Sequence, residues 1–430
     1  MGPITIFDKS ALQSLSPDEA VWFDAFFLGN ITPLFYVETL ADLEKAVREG
    51  QTPERVVGAL ARKTPYHAVP NVHHRTLYLS ELAGSPPVTM DGRPIISGGI
   101  PKRNPDGTLS VHFDEFPEAA ALNRWQNHQF QDIERAVAKD WRVQLSQQDH
   151  DTKIGTLRNI FPAGTRISNV EDLKRLLDDF CNGCYPELIE LVLDILDVPM
   201  PGRPKILEQW KQAGRPPLVE FAPYTTHIFK VDAVFYLGID RGFIAGERQS
   251  NMADMAYLYY LPFSMVFTSG DRLHARTVPL FLRTDQEYLP ADDLKSALHE
   301  LDQHFDALPD EVKKLGVMQF AGYPPHRLDN AVTRMWDKTM SRDWRKISEE
   351  QEAKRGSPRD KVADKALIER LNEMRQSGHE LADGESPQDL NDADQMFIKR
   401  TMPVFRGKWR MVSEEVEQAE HSKQDDGSDD

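Results

Sequence analysis

Short runs of apolar residues, each bounded by polar or turn-forming residues, predict the strands of this chain. Ile4–Phe7 is the first such run, residues 31–37 are the second, and residues 265–267 form a third much later in the chain. Continuous apolar runs of this length are typical of strands that are buried on both faces, as in a parallel sheet. Pro33 indicates the edge or the beginning of the second strand.

Longer stretches with apolar residues every three or four positions predict helices. A Ser-Pro-Asp-Glu sequence at Ser16 combines a capping residue, a proline and two acidic residues, which marks a helix start. Residues 225–237 and 252–261 are expected to be helical, and Pro262 is expected to end the second helix. Residues 290–340 are amphipathic with helical spacing. Strands alternating with helices predict an α/β fold, a parallel sheet flanked by helices.

The middle and the end of the chain have a different character from these two α/β segments. Proline and glycine interrupt residues 50–115, a small hairpin region is expected over 88–107, and helical spacing follows. From about residue 342 the sequence is too polar and charged to bury a core. We therefore divide the chain into a first half of the α/β domain (1–49), a mostly helical insertion with the hairpin region (50–215), a second half with C-terminal helices (216–341) and a charged, flexible tail (342–430).

Composition narrows the classes of protein that fit this pattern. The chain has 430 residues, a mean hydropathy of −0.51 and no apolar run long enough to span a bilayer. Its two cysteines exclude a disulfide framework, and the first residues lack a secretory signal, so we expect a cytoplasmic protein. A formal net charge of −17 argues against broad, nonspecific adhesion to nucleic acid, but it allows a local basic patch beside a metal-neutralised acidic centre.

Four acidic residues follow or precede the predicted strands in equivalent ways. Asp8 ends the first strand, Glu38 follows the second, Asp254 lies in the first turn of a helix, and Asp271 follows the third strand. Because strand carboxyl ends and helix amino ends meet at one edge of a parallel sheet, these acids can converge. Clustered carboxylates repel one another unless a cation neutralises them, and oxygen ligands suit Mg²⁺ or Mn²⁺. The sequence therefore predicts a metal site formed by all four acids.

Three motifs, in this order, resemble the PIN domain of metal-dependent nucleases, and more loosely the PIN-like domain of flap endonucleases. They are IFDKSAL, FYVETL and NMADMAYLYYLPFSMVFTSGD. The family has an Asp at the end of strand one, often with a hydroxyl residue two positions later, as at Asp8 and Ser10. It has acids on the helix after strand two, on a helix before strand four and in the turn after strand four, as at Glu38, Asp254 and Asp271. The resemblance covers about residues 1–45 and 225–285.

The resemblance implies a phosphodiesterase that cleaves RNA or single-stranded or branched DNA with Mg²⁺ or Mn²⁺. Asp8 would ligate or bridge the metal ions, and the other three acids would complete the pocket directly or through water. Ser10 and Ser269 would orient carboxylates or water from the second layer. The segment between the two halves has no counterpart in a minimal PIN domain. For this reason the resemblance does not identify the substrate.

Several basic and aromatic residues are candidate contacts to the nucleic acid. The segment FIKRTMPVFRGKWRM, residues 397–411, interleaves cations with aromatic rings, which suits a phosphate backbone with stacked bases. It suits equally a peptide that docks on an acidic surface, including one on this chain. Arg248 could reach a substrate phosphate, and His274 could contact phosphate or lie exposed on a helix. The candidates are Lys399, Arg400, Arg406, Trp409, Arg248 and His274.

Two other functions remain open from the sequence. One is a non-catalytic PIN-like scaffold that binds nucleic acid or a protein, which the presence of all four acids disfavours. The other is a phosphatase of the haloacid-dehalogenase type, which also begins with an Asp after the first strand. That family requires a second acid two residues later, and Ser10 stands in that position.

Overall fold

The computed structural model describes residues 2–44, 52–146, 150–162, 164–183, 185–246, 250–354, 379–380, 395–400, 402–414 and 417. The strands are β1 (Ile4–Phe7), β2 (Leu28–Ile31), β3 (Val69–Pro70), β4 (Ile100–Arg103), β5 (Leu109–Phe113), β6 (Val266–Ser269), β7 (Glu287–Pro290), β8 (His379–Glu380), β9 (Gln395–Ile398), β10 (Phe405–Arg406) and β11 (Trp409–Arg410).

Helices surround these strands along most of the described chain. The first ten are α1 (Lys9–Ser14), α2 (Pro17–Phe26), α3 (Pro33–Leu40), α4 (Pro53–Lys63), α5 (His74–Leu82), α6 (Pro117–Gln126), α7 (Asp132–Ser146), α8 (His150–Leu157), α9 (Val170–Asn182) and α10 (Pro186–Ile195). The others are α11 (Arg203–Gln212), α12 (Leu218–Phe221), α13 (Pro223–Asp240), α14 (Asn251–Ala256), α15 (Arg272–Thr277), α16 (Ala291–Asp306), α17 (Asp310–Lys313), α18 (Val317–Phe320), α19 (Ala331–Thr339) and α20 (Trp344–Lys354). Short 3₁₀ helices lie at Ala41–Glu44, Met200–Gly202, Tyr257–Phe263 and Val278–Leu280.

The main sheet has five parallel strands in the order β3-β2-β1-β6-β7, flanked by helices, which confirms the predicted α/β class. In its centre Ile6 pairs with Asn30 on one side and Phe267 on the other. The ring of Phe7 packs edge-on against Phe23 and Phe35, with centroids 5.5 Å and 5.2 Å away. Since all five strands run the same way, their carboxyl ends lie at one edge, which we call the carboxyl edge.

The second strand is shorter and earlier than the sequence pattern predicts. Strand β2 ends at Ile31, and most of the predicted strand over 31–37 is helix α3. The Thr32 side chain accepts a hydrogen bond from the Phe35 main chain, and Pro33 occupies the first turn, so capping begins a helix here. The prediction was wrong because an apolar run that is buried on a helix looks like a strand.

The predicted helix over 252–261 is also different in the structure. Helix α14 ends at Ala256, and a 3₁₀ helix over Tyr257–Phe263 contains Pro262 instead of ending before it. All seven of its residues are buried. Its i+3 spacing aligns Tyr257, Tyr260 and Phe263 on one face.

Part of the predicted insertion and tail belongs to the folded body. Strand β3, within residues 50–215, is the edge strand of the main sheet. The hairpin joins β4 to β5 through residues 104–108, and these strands continue into a second sheet of order β8-β4-β5-β9. Strand β9 comes from the predicted tail, as does helix α20, in which Trp344 is buried. Residues 355–378 and 381–394 of that tail lie outside the described residues.

Within the described ranges, no helix combines the length and the apolar character needed to cross a membrane.

Helix α13 carries a buried carboxyl group, Asp232, that is hydrogen-bonded to a tyrosine. Asp232 is 6% exposed and accepts a hydrogen bond from the Tyr259 hydroxyl. Burial raises the pKa of Asp232 to about 7, although the Tyr259 hydrogen bond and Lys153 oppose the shift. An unfolded Asp has a pKa of about 3.9. The folded state therefore binds more protons than the unfolded state between these values, and Asp232 makes the fold less stable as pH rises through them.

Replacing Asp232 by Asn is expected to raise the free energy of unfolding at pH 8 by up to about 4 kcal/mol, and to change it little at pH 4. Asparagine resembles the protonated acid in shape and still accepts from Tyr259, but it never carries the charge. Urea unfolding at both pH values measures the effect. Asp293→Asn, on an exposed residue, is the control. Equal pH dependence in wild type and Asp232→Asn would contradict the prediction.

Candidate active site

Asp8 lies at the carboxyl edge, where β1 gives way to α1. Its side chain caps α1 by accepting a hydrogen bond from the Ala11 main chain at 2.8 Å. The Ser10 hydroxyl lies 2.8 Å from each Asp8 oxygen, and the Ser269 hydroxyl, at the end of β6, donates to Oδ2 at 2.7 Å. Asp8 is only 5% exposed. These contacts join the first and second halves of the predicted site directly.

His274, on α15, connects Asp8 to the helix that carries Asp254. Its Nδ1 is 3.3 Å from Asp8 Oδ2 and 2.8 Å from the Ser269 hydroxyl. Its Nε2 donates to the Asp254 main-chain oxygen at 2.7 Å. The predicted exposure of His274 is wrong, because the ring is fully buried and packs edge-on against Phe267. This burial argues against the predicted contact of His274 with substrate.

The Asp8–His274 pair is an ionic one. Burial alone would lower the pKa of His274, but the hydrogen bond and charge of Asp8 outweigh it and raise that pKa to about 9. Burial alone would raise the pKa of Asp8, and His274, Ser269 and the Ala11 main chain together hold it below its usual value. Asp8 is thus a carboxylate whose charge is stabilised at physiological pH.

Glu38, on α3, is held beside this pair by a lysine and a tyrosine. Lys9 Nζ lies 3.2 Å from Glu38 Oε1 and 3.1 Å from Asp42 Oδ1, and the Tyr257 hydroxyl donates to Glu38 Oε2 at 2.8 Å. Burial lowers the pKa of Lys9, but the charges of Glu38 and Asp42 raise it above its usual value. Lys9 therefore stays charged and neutralises part of the acidic edge.

Asp254 lies in the first turn of α14, and its pKa is raised well above the usual value. Burial raises its pKa to about 7, and the charges of Glu38, Asp271 and Asp8 add to that rise, while His274 opposes it. The other three predicted acids therefore each lie within electrostatic range of Asp254. Burial and these charges disfavour the charged form of Asp254, and a nearby cation would stabilise it.

Asp271 is positioned by the turn after β6. Its Oδ1 accepts from the Leu273 main chain at 2.6 Å and caps α15, while its own main-chain N–H donates to the Ser269 hydroxyl at 2.9 Å. The neighbouring Gly270 N–H donates to the Ser10 hydroxyl at 2.9 Å. The two serines thus fix the turn relative to Asp8.

The side chains of this edge do not form a closed metal cage. In the described part of the chain, no group of three or more His, Cys, Asp and Glu side chains is arranged so that it could hold a metal ion. Protein donors contact the carboxylates of Asp8, Glu38 and Asp271 instead. The donor set itself, carboxylates with neighbouring hydroxyl groups, is of the kind that Mg²⁺ and Mn²⁺ prefer. Binding of such an ion would require some carboxylates to turn away from their present partners.

The basic and aromatic segment over residues 397–411 mostly contacts the protein itself. Arg400 donates to the Ala68 main-chain oxygen at 2.9 Å, and Arg406 forms a buried ion pair with Asp24. Trp409 is buried, with its indole N–H 2.7 Å from Asp302. These contacts argue against substrate binding by Arg406 and Trp409 and support the alternative of a segment that docks on its own chain.

The substrate contacts predicted for Lys399 and Arg248 stay predictions. Lys399 is exposed at the end of β9, next to the stacked rings of His112 and Phe397, whose centroids are 4.9 Å apart. Arg248 lies outside the described residues.

Sequence reasoning missed the residues that support Glu38. Lys9 lies between Asp8 and Ser10 in the first motif, and a lysine beside a predicted acidic cluster is a signal that it neutralises the cluster. Asp42 follows Glu38 by four residues, which places both on one side of a continuing helix. Tyr257 offered no such signal, because its ring looks like part of the core.

Comparison of the chain with models of known protein families, with curated proteins and with solved structures finds no match.

Proposed function

We propose that this protein is a PIN-like, metal-dependent nuclease that cleaves phosphodiester bonds of RNA or of single-stranded or branched DNA. The observation that supports it most is the network joining Asp8 at the end of β1 to Ser269 at the end of β6 and, through His274, to the Asp254 main chain. The order of the elements also supports it, because β6 is the fourth strand of the main sheet along the chain, Asp254 lies on the helix before it and Asp271 follows it.

The residues have distinct roles in this proposal. Asp8, Glu38, Asp254 and Asp271 would hold Mg²⁺ or Mn²⁺, and Asp8 lies closest to the centre because both halves of the edge contact it. The bound ion would supply an activated water and neutralise charge at phosphorus. His274 and the two serines keep Asp8 charged and fixed in position. Lys9 limits the repulsion between Glu38 and the other acids.

An exposed cation lies beside the acids at the same edge. Arg272 follows Asp271 directly and is exposed, so it can approach a phosphate group beside the acids. A compact basic contact next to a metal-neutralised centre is compatible with the strongly acidic chain, because such binding depends on local and not on net charge. Arg272 and Lys399 are the exposed cations that we assign to substrate binding.

Purified protein is expected to cleave labelled single-stranded RNA or DNA with Mg²⁺ or Mn²⁺, and to lose this activity when EDTA removes the ion. Gel analysis of end-labelled RNA, single-stranded DNA and a branched duplex measures cleavage and its mode. A small phosphoester such as p-nitrophenyl phosphate serves as the comparison. Turnover of the small ester without cleavage of the polymers would favour the phosphatase, and binding of the polymers without cleavage would favour the scaffold.

A further inference from the structure

A second concave site lies at the opposite edge of the main sheet from the four acids. It is an open cavity of about 390 Å³ whose lining includes Pro262, shortly before β6, and Gln286, directly before β7. The acids follow the carboxyl ends of these strands, so the cavity is at the amino edge. Its other walls come from α9 and α13, which makes it a cleft between the helical insertion and the α/β body. We call it the amino-edge cavity.

Cations outnumber carboxylates in the lining of the amino-edge cavity. Lys174 on α9 and Lys230 on α13 both pair with the single carboxylate of Asp178, at 2.7 Å and 2.9 Å. Their side chains are 13% and 15% exposed. Arg283 adds a third positive charge to the lining, and its own partner, Asp285, is 64% exposed. Two largely buried lysines share one carboxylate, so the lining carries excess positive charge. The chain as a whole is acidic, with a formal net charge of −17.

His227, in the same lining, is a neutral histidine whose pKa is affected by these positive charges. His227 Nε2 donates to the Leu258 main-chain oxygen at 2.8 Å, so its Nδ1 carries no proton in the neutral form and can accept a hydrogen bond. Burial lowers the pKa of His227 to about 4; the Leu258 hydrogen bond opposes the shift, and the charges of Lys174, Lys230 and Arg283 add to it. The cavity thus combines three cations with one uncharged acceptor.

The remaining walls are apolar and partly aromatic. Phe281 lies in the lining with its ring 4.9 Å from Lys174 Nζ, and Met90, Val219 and Leu282 belong to the apolar part. A cavity of this volume fits a molecule of drug or cofactor size, and apolar walls with a few convergent polar groups are typical of such sites. The matching ligand has an anionic group and a flat, apolar ring system.

We propose that the amino-edge cavity binds a mononucleotide, with its phosphate groups between Lys174, Lys230 and Arg283 and its base against the Phe281 side. The His227 acceptor would take a hydrogen bond from a hydroxyl or amino group of the ligand. Since α9 and α13 meet at the Asp178–Lys230 ion pair and residues 280–283 form another part of the lining, the ligand would contact both the insertion and the body. This site is separate from the carboxyl edge and does not depend on the nuclease assignment.

Isothermal titration of the full chain with ATP, AMP, adenosine and inorganic phosphate tests the proposal, with EDTA present so that the acidic edge holds no metal. We expect saturable binding of one nucleotide per chain, and weaker binding of adenosine and of phosphate alone. The double variant Lys174→Gln/Lys230→Gln is expected to raise the Kd at least about tenfold, because it removes two charge-assisted contacts. Lys205→Gln, an exposed lysine on α11, and Asp8→Asn should leave the Kd unchanged.

Circular dichroism and urea unfolding establish that the double variant is folded. If it is not, Lys230→Arg, which keeps the charge, and Lys230→Gln, which removes it, provide the same comparison at one position. The proposal is overturned if no nucleotide binds saturably, if charge removal leaves the Kd unchanged, or if Asp8→Asn abolishes binding, since the ligand would then occupy the carboxyl edge.

Discussion

Replacing Asp8 by Asn is expected to lower the rate of metal-dependent cleavage by about 10³-fold, which corresponds to about 4 kcal/mol in the activation free energy. Asp8 is the acid that both halves of the site contact, through Ser10 on one side and Ser269 on the other. Asparagine removes its charge and leaves one neutral oxygen in place of a carboxylate. Single-turnover cleavage at saturating Mg²⁺ or Mn²⁺ measures the loss in the chemical step.

The same substitution should leave the fold largely intact. In Asp8→Asn the side-chain amide oxygen can still accept from the Ala11 main chain and cap α1, since asparagine is as good a capping residue as aspartate. The ion pair with His274 is lost, so some loss of stability is expected, and urea unfolding measures it separately from activity. A cleavage defect in a folded variant therefore reports the loss of the carboxylate itself.

Asp293→Asn is the matched control for this experiment. Asp293 lies in the first turn of α16, directly after β7 and so near the same edge, but it is exposed. Wild-type cleavage in Asp293→Asn together with the loss in Asp8→Asn would assign the chemistry to the buried cluster. If Asp8→Asn retained the wild-type rate, the nuclease assignment would be wrong.

The sequence predicts best those parts of the site that depend on local pattern. The apolar run before Asp8 and the run before Asp271 are strands in the structure, because continuous apolar residues with a polar end leave little alternative in a buried sheet. Strand pairing then brings the two acids to one edge. The sequence also predicts Glu38 at that edge, directly after a strand over residues 31–37. In the structure Glu38 lies on helix α3 instead.

Contacts between distant parts of the chain are what the sequence does not predict. His274 looks like a helix surface residue, and its burial depends on Asp8, which is far away in the sequence. The docking of Arg406 likewise depends on Asp24, on α2. Neither partner can be identified from spacing, because the fold and not the local pattern brings these residues together.

Replacing Arg406 by Met is expected to lower the free energy of unfolding at pH 7 by about 3–5 kcal/mol, the usual cost of leaving a buried charge without its partner. Arg406 and Asp24 are 6% and 2% exposed. The Arg406 guanidinium also donates to the Thr64 main-chain oxygen at 3.2 Å and lies 4.7 Å from the Tyr66 ring centre. Urea unfolding of the full chain measures the loss.

The pH dependence of this loss has a definite sign. Burial would raise the pKa of Asp24, but the charges of Arg406 and His67 hold it well below its usual value. Asp24 therefore contributes stability that is present above its unfolded pKa of about 3.9 and is lost as pH falls through the lower folded value. Arg406→Met removes the main cause of the lowered pKa. The difference between wild type and variant should be largest near neutral pH and should shrink below about pH 4.

Two further variants separate the ion pair from packing and from surface charge. The double variant Asp24→Asn/Arg406→Met removes both charges of this buried ion pair. It should therefore be more stable than Arg406→Met alone, which leaves the Asp24 charge without its partner. Lys408→Met breaks a pair with Asp302 in which the lysine is 40% exposed, and it should cost less than about 1 kcal/mol.

These results also decide between the two interpretations of the segment over residues 397–411. A large loss in Arg406→Met would show that its cations serve the fold, which would leave Lys399 as the segment's exposed candidate for contacting nucleic acid. If Arg406→Met cost less than about 1 kcal/mol, docking would contribute little to stability, since a buried pair cannot be broken so cheaply. The cations of the segment would then be available to a phosphate backbone.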